Sequence, residues 1–199
     1  MKSRLILATN NKGKLREFES MIAAERLDFQ VLSFADFPDI PHVIEDGESF
    51  ENNAEKKALT IAGFTGELAV ADDSGLEVDY LDGAPGIYSA RFSGEPQSDE
   101  ANNRKLLDLL KDVPWEERTA RFRCVIAIVT PDMKSFFVEG VCEGYIAEGA
   151  EGDGGFGYDP IFYLPEYKKT MAQLPLEEKN RISHRARAFT EAMEILRNI

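Results

Sequence analysis

A chain of 199 residues with 43% hydrophobic and 30% charged residues has the composition of an ordinary globular protein, which excludes wholesale disorder, and it can bury a core without disulfides or a structural metal. Its net charge of −13 argues against a protein that coats nucleic acid, because long polyanions are gripped by basic surfaces; a small anion can still be held by local lysines or through a divalent metal on the protein's own carboxylates. With no secretory-type start and no apolar run of bilayer-spanning length, the expected setting is cytoplasmic, with no membrane partner.

The first predicted element is a strand at Arg4-Leu5-Ile6-Leu7-Ala8, which stops at a polar loop, Thr9-Asn10-Asn11-Lys12-Gly13-Lys14. Leu15, Phe18, Met21 and Ile22 then recur at helical spacing. A second strand is expected at Phe29-Gln30-Val31-Leu32, then a loop containing Pro38 and Pro41. The next helix runs from about Ser49 to Phe64, with Phe50, Ala54, Lys57 or Ala58, and Ile61 along one face. Leu68-Ala69-Val70-Ala71 reads as a buried strand ending in a turn, Asp72-Asp73-Ser74-Gly75. Asp99 introduces a helix through Leu110. Two long strands, 119–129 and 135–146, are joined by a turn with Pro131 and Asp132. A glycine-dense loop over 149–157 leads to an extended segment through Pro160, and the chain ends in a helix with the stripe Ile182, Ala186, Phe189, Met193 and Leu196. The alternation of strands and helices, with a long hairpin late, predicts an α/β fold: a mixed sheet flanked by helices, in a single domain over 1–199. Cys124 and Cys142 lie within strands and read as buried packing residues, not as a disulfide or zinc pair.

Four constellations carry possible chemistry. The loop of Thr9 to Lys14 offers backbone donors, amide and hydroxyl groups and two lysines to phosphate oxygens, although it lacks the Walker spacing and by itself reads more readily as an ordinary polar loop. Glu45 lies in an exposed loop, whereas Glu48 and Glu51 open a helix, where acidic residues simply complement the dipole. Asp72 and Asp73, leaving an apolar strand side by side, either meet a cation such as magnesium or form a solvated, capped turn. The segment from Gly152 to Pro160 contains a literal G-x-G-x-x-G, but no helix opens on it, so a dinucleotide-binding reading fails; Phe156 and Asp159 either face a flat ligand or cover the core. Lys179, Ser183, His184 and Arg185 suggest exposed recognition groups or plain surface. Arg121 and Arg123 share a strand face and are expected in structural ion pairs.

Together these segments closely resemble the inosine triphosphate pyrophosphatase family. The resemblance runs in order from Leu7-Ala8-Thr9-Asn10-Asn11-Lys12-Gly13-Lys14 through Glu45-Asp46-Gly47-Glu48-Ser49-Phe50-Glu51-Asn52-Asn53-Ala54, Lys57-Ala58 and Ala71-Asp72-Asp73-Ser74-Gly75-Leu76. It continues through Gly83-Ala84-Pro85-Gly86-Ile87-Tyr88-Ser89-Ala90-Arg91 to Gly154 to Phe162 and Ser183-His184-Arg185. It implies an elongated, twisted sheet in two lobes with the active site in the cleft between them. It also implies a homodimer that hydrolyses dITP, ITP and XTP to the monophosphate and pyrophosphate with Mg2+. By the same resemblance Thr9, Asn10, Asn11, Lys12, Gly13 and Lys14 would hold the triphosphate, Glu45 and Asp73 the metal, and Asp73 would activate water. Ser74 would touch substrate, Phe156, Gly157, Tyr158 and Asp159 would embrace the base, and Lys179, His184 and Arg185 would complete the pocket. Lys14 and Lys57 supply further positive charge. Asp46 stands where the family often has threonine. A non-catalytic purine-nucleotide sensor using the same pocket is the competing expectation.

Overall fold

The computed structural model describes residues 3–25 and 29–199. The early alternation consists of β1 (Ser3–Leu7), α1 (Lys12–Glu25), β2 (Phe29–Ser33), α2 (Phe50–Thr65) and β3 (Leu68–Val78). After it come α3 (Asp99–Leu110), the hairpin strands β4 (Thr119–Val129) and β5 (Ser135–Ile146), β6 (Phe162–Leu164), β7 (Lys169–Thr170), α4 (Leu176–Ile182) and α5 (His184–Leu196). One seven-stranded sheet has the order β2-β1-β3-β4-β5-β6-β7. It is mixed, as expected: β1 pairs parallel with β2 and β3, whereas β6 pairs antiparallel with β5 and β7.

Four local expectations are corrected. The segment 72–75 is not a turn; β3 continues through it to Val78, because buried apolar residues resume at Leu76 and Val78. Lys12, Gly13 and Lys14 are not loop but the opening of α1, where Asn11 caps the helix by accepting from the Gly13 and Lys14 amides. The segment after the glycine-rich loop makes a 3₁₀ turn, Asp159–Ile161, before β6. The final helical stretch is two helices, interrupted at the extended Ser183.

The chain divides into two compact units. The first contains the described residues of Met1–Asp73 with Cys124–Gly140 and Ala186–Ile199. Its core sets Phe18, Met21 and Ile22 of α1 and Phe189 and Met193 of α5 against Leu5 and Leu7, Leu68 and Val70, and Cys124, Ile126 and Ile128. These alternate positions are what one face of a strand supplies. The second unit is Ser74–Arg123 with Val141–Arg185. Leu76 and Val78 meet Leu106, Leu110, Phe122, Cys142, Ile161 and Phe162 there. Arg118, 3% exposed, donates to the carbonyls of Leu110, Ile146 and Ala147, so a buried cation ties the end of α3 to the end of β5. Arg121 pairs with Glu77, Asp79 and Glu143, and Arg123 with Glu77, the structural ion pairs expected. Both cysteines are buried and neither forms a disulfide.

Candidate active site

In the first unit the two aspartates diverge. Successive side chains on a strand point to opposite faces, and β3 sends Asp72 toward α1 and Asp73 toward α2. The Asp72 carboxylate, fully buried, pairs with Lys14 Nζ at 2.8 Å. Asp73, 8% exposed, accepts at Oδ2 from Asn53 Nδ2 at 3.0 Å. Burial pushes the Asp73 carboxyl above the ordinary carboxylate range; Lys57 and Lys14 pull against this, Glu45 adds to it, and the Asn53 bond opposes it. Lys57 is buried on the same face of α2, one turn after Asn53, and donates to Glu45 Oε2 at 2.9 Å and to the Asp72 carbonyl at 2.7 Å. Burial pulls its ammonium pKa down, but the negative charges of Asp73, Asp72 and Glu45 outweigh that and leave it raised.

At the entry to α1, Thr9 Oγ1 accepts from the Asn11 amide, and Asn10, Asn11 and Lys12 are exposed while Gly13 and Lys14 are half-buried. Two of the helix's amide donors are thus already met by Asn11. Asn10, Lys12 and Lys14 are the polar groups of this segment best suited to an incoming phosphate.

The second unit holds the other named residues. Asp159 and Lys179, 2% and 3% exposed, form an ion pair at 2.5 Å. Asp159 Oδ2 also accepts from the Phe156 amide at 2.8 Å. Gly155 makes this possible: its φ is +72°, and a Cβ there would lie 2.0 Å from Asp159 Oδ2. Lys179 Nζ stands 4.7 Å from the centre of the Phe156 ring and Arg185 Cζ 5.5 Å, a cation–π arrangement that fixes the ring. His184 stacks on Phe122 with ring centres 4.7 Å apart, and Arg185 donates to Ser74 Oγ at 3.4 Å. The expectation that Lys179, Ser183, His184 and Arg185 are exposed is wrong; they are 3%, 1%, 4% and 2% exposed. Tyr158 is buried and donates to the Ser89 carbonyl; burial and the nearby Asp99 charge push its pKa up.

Among the described residues no three His, Cys, Asp or Glu side chains gather into a ready metal cage. Glu45 and Asp73 still suit a hard cation. They offer only oxygens, their charges interact, and magnesium commonly takes one or two carboxylates with water and phosphate completing its shell.

The Ham1 family model matches residues 5–195. This chain belongs to the Ham1 family. It is 58% identical over 196 residues to a dITP/XTP pyrophosphatase of Desulforamulus reducens, covering 98% of this chain and 96% of the relative. Among solved structures, the Ham1 protein of Staphylococcus aureus matches with a TM-score of 0.87 and 43% identity over 98% of this chain and 99% of that one. A HAM1 protein from Coxiella burnetii matches with a TM-score of 0.89 and 37% identity over 99% and 100%. The sequence resemblance to the inosine triphosphate pyrophosphatases accords with these findings.

Sequence reasoning about this Ham1 chain missed three residues that hold the site segments. Asn53 is one, and a polar side chain on the stripe of Phe50, Ala54 and Ala58 was the available signal. Asp99 and Asn103 are the others: Gly157 donates to Asp99 Oδ2 at 2.8 Å, and its carbonyl accepts from Asn103 Nδ2 at 3.0 Å. Their i, i+4 spacing on α3 was legible; the partner loop, more than fifty residues on, was not.

Proposed function

We propose that this Ham1 chain hydrolyses deaminated purine nucleoside triphosphates, dITP, ITP and XTP, to the nucleoside monophosphate and pyrophosphate, and so cleanses the nucleotide pool. The full-length similarity to a dITP/XTP pyrophosphatase carries this reading. The proposal takes residues 1–199 as one functional domain acting as a cytoplasmic homodimer.

These products require the anhydride between the α- and β-phosphates to break, with water supplying the new oxygen. Asp73 takes the proton of that water, acting as the general base. Lys12 and Lys14, with Thr9, Asn10, Asn11 and Gly13, hold the triphosphate, and Lys57 offsets charge around Glu45. Glu45 and Asp73 would hold magnesium, which would neutralise charge developing on phosphate oxygens. Phe156, Gly157, Tyr158 and Asp159 line the base, Ser74 meets substrate, and Lys179 fixes Phe156 and Asp159. A 6-oxo purine accepts from His184 or Arg185, whereas adenine presents a donor there and would leave buried donors unmet, a mismatch able to discriminate by orders of magnitude.

The test is release of pyrophosphate from ITP, XTP, dITP, GTP and ATP with magnesium present. Pyrophosphate from the first three is the expected result, and orthophosphate as first product would sink the proposal. Tight binding of ITP that stays intact would favour the sensor instead.

A further inference from the structure

Asn53 lies at the centre of the carboxylate set, yet nothing in the proposed chemistry uses it. It is 1% exposed, on a helix face otherwise made of Phe50, Ala54, Lys57, Ala58, Ile61 and Ala62. An amide buried among such neighbours costs stability unless its hydrogen bonds are met. Both ends are met. Nδ2 donates to Asp73 Oδ2 at 3.0 Å, and Oδ1 accepts from the Gly47 amide at 2.8 Å, two residues beyond Glu45.

The orientation of the amide follows from its partners. A backbone N–H can only donate, so it takes the oxygen; an ionised carboxylate can only accept, so it takes the nitrogen. The loop side is equally constrained: a Cβ on Gly47 would sit 2.7 Å from Asn53 Oδ1 and 2.9 Å from Asn52 Cβ. Only glycine lets the Glu45 loop approach α2 this closely. No smaller polar group reaches both partners, and aspartate would lose the donor while bringing a second negative charge against Asp73.

We propose that Asn53 is a positioning residue of the hydrolytic centre, one amide holding the Asp73 carboxylate and the Glu45 loop in a common register. The inference rests on the activity proposed above and deepens it. Asn53 touches neither substrate nor water in this account. It sets how two carboxylates from distant segments face a shared cation.

The test uses the full chain with Asn53→Ala and, from the loop side, Gly47→Ala. Two readouts are taken: kcat and KM for pyrophosphate release from ITP, and Mn2+ binding to the nucleotide-free protein by electron paramagnetic resonance. Removal of a group that orients metal ligands typically lowers affinity or activity by about 10- to 100-fold. Losses of that order in kcat and in Mn2+ affinity, with KM for ITP unchanged, are expected in both variants. Lower melting temperatures with wild-type kcat and wild-type Mn2+ affinity would show that Asn53 serves only the fold and overturn the inference. A rise in KM alone would overturn it as well, by assigning Asn53 to substrate contact. If Asn53→Ala does not fold, Gly47→Ala carries the same decision. If the wild-type protein releases no pyrophosphate, the functional proposal fails on its own, and the Mn2+ titration decides the role of Asn53: unchanged affinity rejects it.

Discussion

The Asp73 carboxyl is raised chiefly by burial, and Lys57, Lys14 and Asn53 keep it from rising further. Asp73→Asn removes the charge and keeps the shape, so the variant is expected to retain the wild-type circular dichroism spectrum. General bases typically contribute about 10²- to 10⁴-fold, and pyrophosphate release from ITP should fall within that range; a variant keeping most of its rate would refute the base assignment. The pairing of residue types was legible in the sequence here, since two aspartates after an apolar strand mark a costly site. Their facing was not. A turn would bring both to one place, whereas a continuing strand gives Asp72 to Lys14 and Asp73 to Asn53. Asp72 thereby becomes the anchor of a lysine. In the second unit, Lys179 and Asp159 are buried as a pair, an arrangement that fails badly if either partner is removed, because the survivor keeps its charge without its counter-ion.

Elements with strong periodicity were legible to the residue. Thr119–Val129 and Ser135–Ile146 fall where expected; over 119–124 and 140–146 buried positions alternate with more exposed ones, so a one-residue slip would expose the buried set. Boundaries set by capping and tertiary cover were not, as at the start of α1 and the break between α4 and α5. Arg118 shows how elements are tied. Its replacement by methionine leaves three carbonyls without their donor, and at about 1 kcal/mol or more for each the urea midpoint should drop by the equivalent of about 3 kcal/mol. The raised Lys57 gives a pH signature. The folded state holds this proton more tightly than the unfolded chain, so its contribution is complete below the ordinary lysine value of about 10.4 and is lost as pH rises through the higher folded value. Above about pH 10 the wild type should therefore lose stability more steeply with rising pH than Lys57→Met in urea titrations.

At the scale of the molecule, a net charge of −13 has to coexist with an anionic substrate, and the proposed function gives that task to a few local cations, Lys12 and Lys14 foremost. Chelation with EDTA should abolish turnover of ITP and leave the fold in place, with added magnesium restoring the rate; turnover that persists under chelation would remove the metal from the proposal. Sedimentation equilibrium tests the homodimer. Among the described residues no helix is long and apolar enough to cross a membrane. Sequence alone determined the order of strands and helices through β5, the mixed α/β class, the burial of both cysteines and the resemblance that places the chain in its family, because each follows from local periodicity or from ordered motifs. Tertiary structure alone decided that 72–75 is strand, that His184 and Arg185 are buried, and that Asn53 joins Gly47 to Asp73. Burial and hydrogen-bond partnership depend on which distant segment covers a side chain: Asn53 lies 20 residues from Asp73, and Arg185 lies 111 from Ser74. A local pattern carries no record of such a partner.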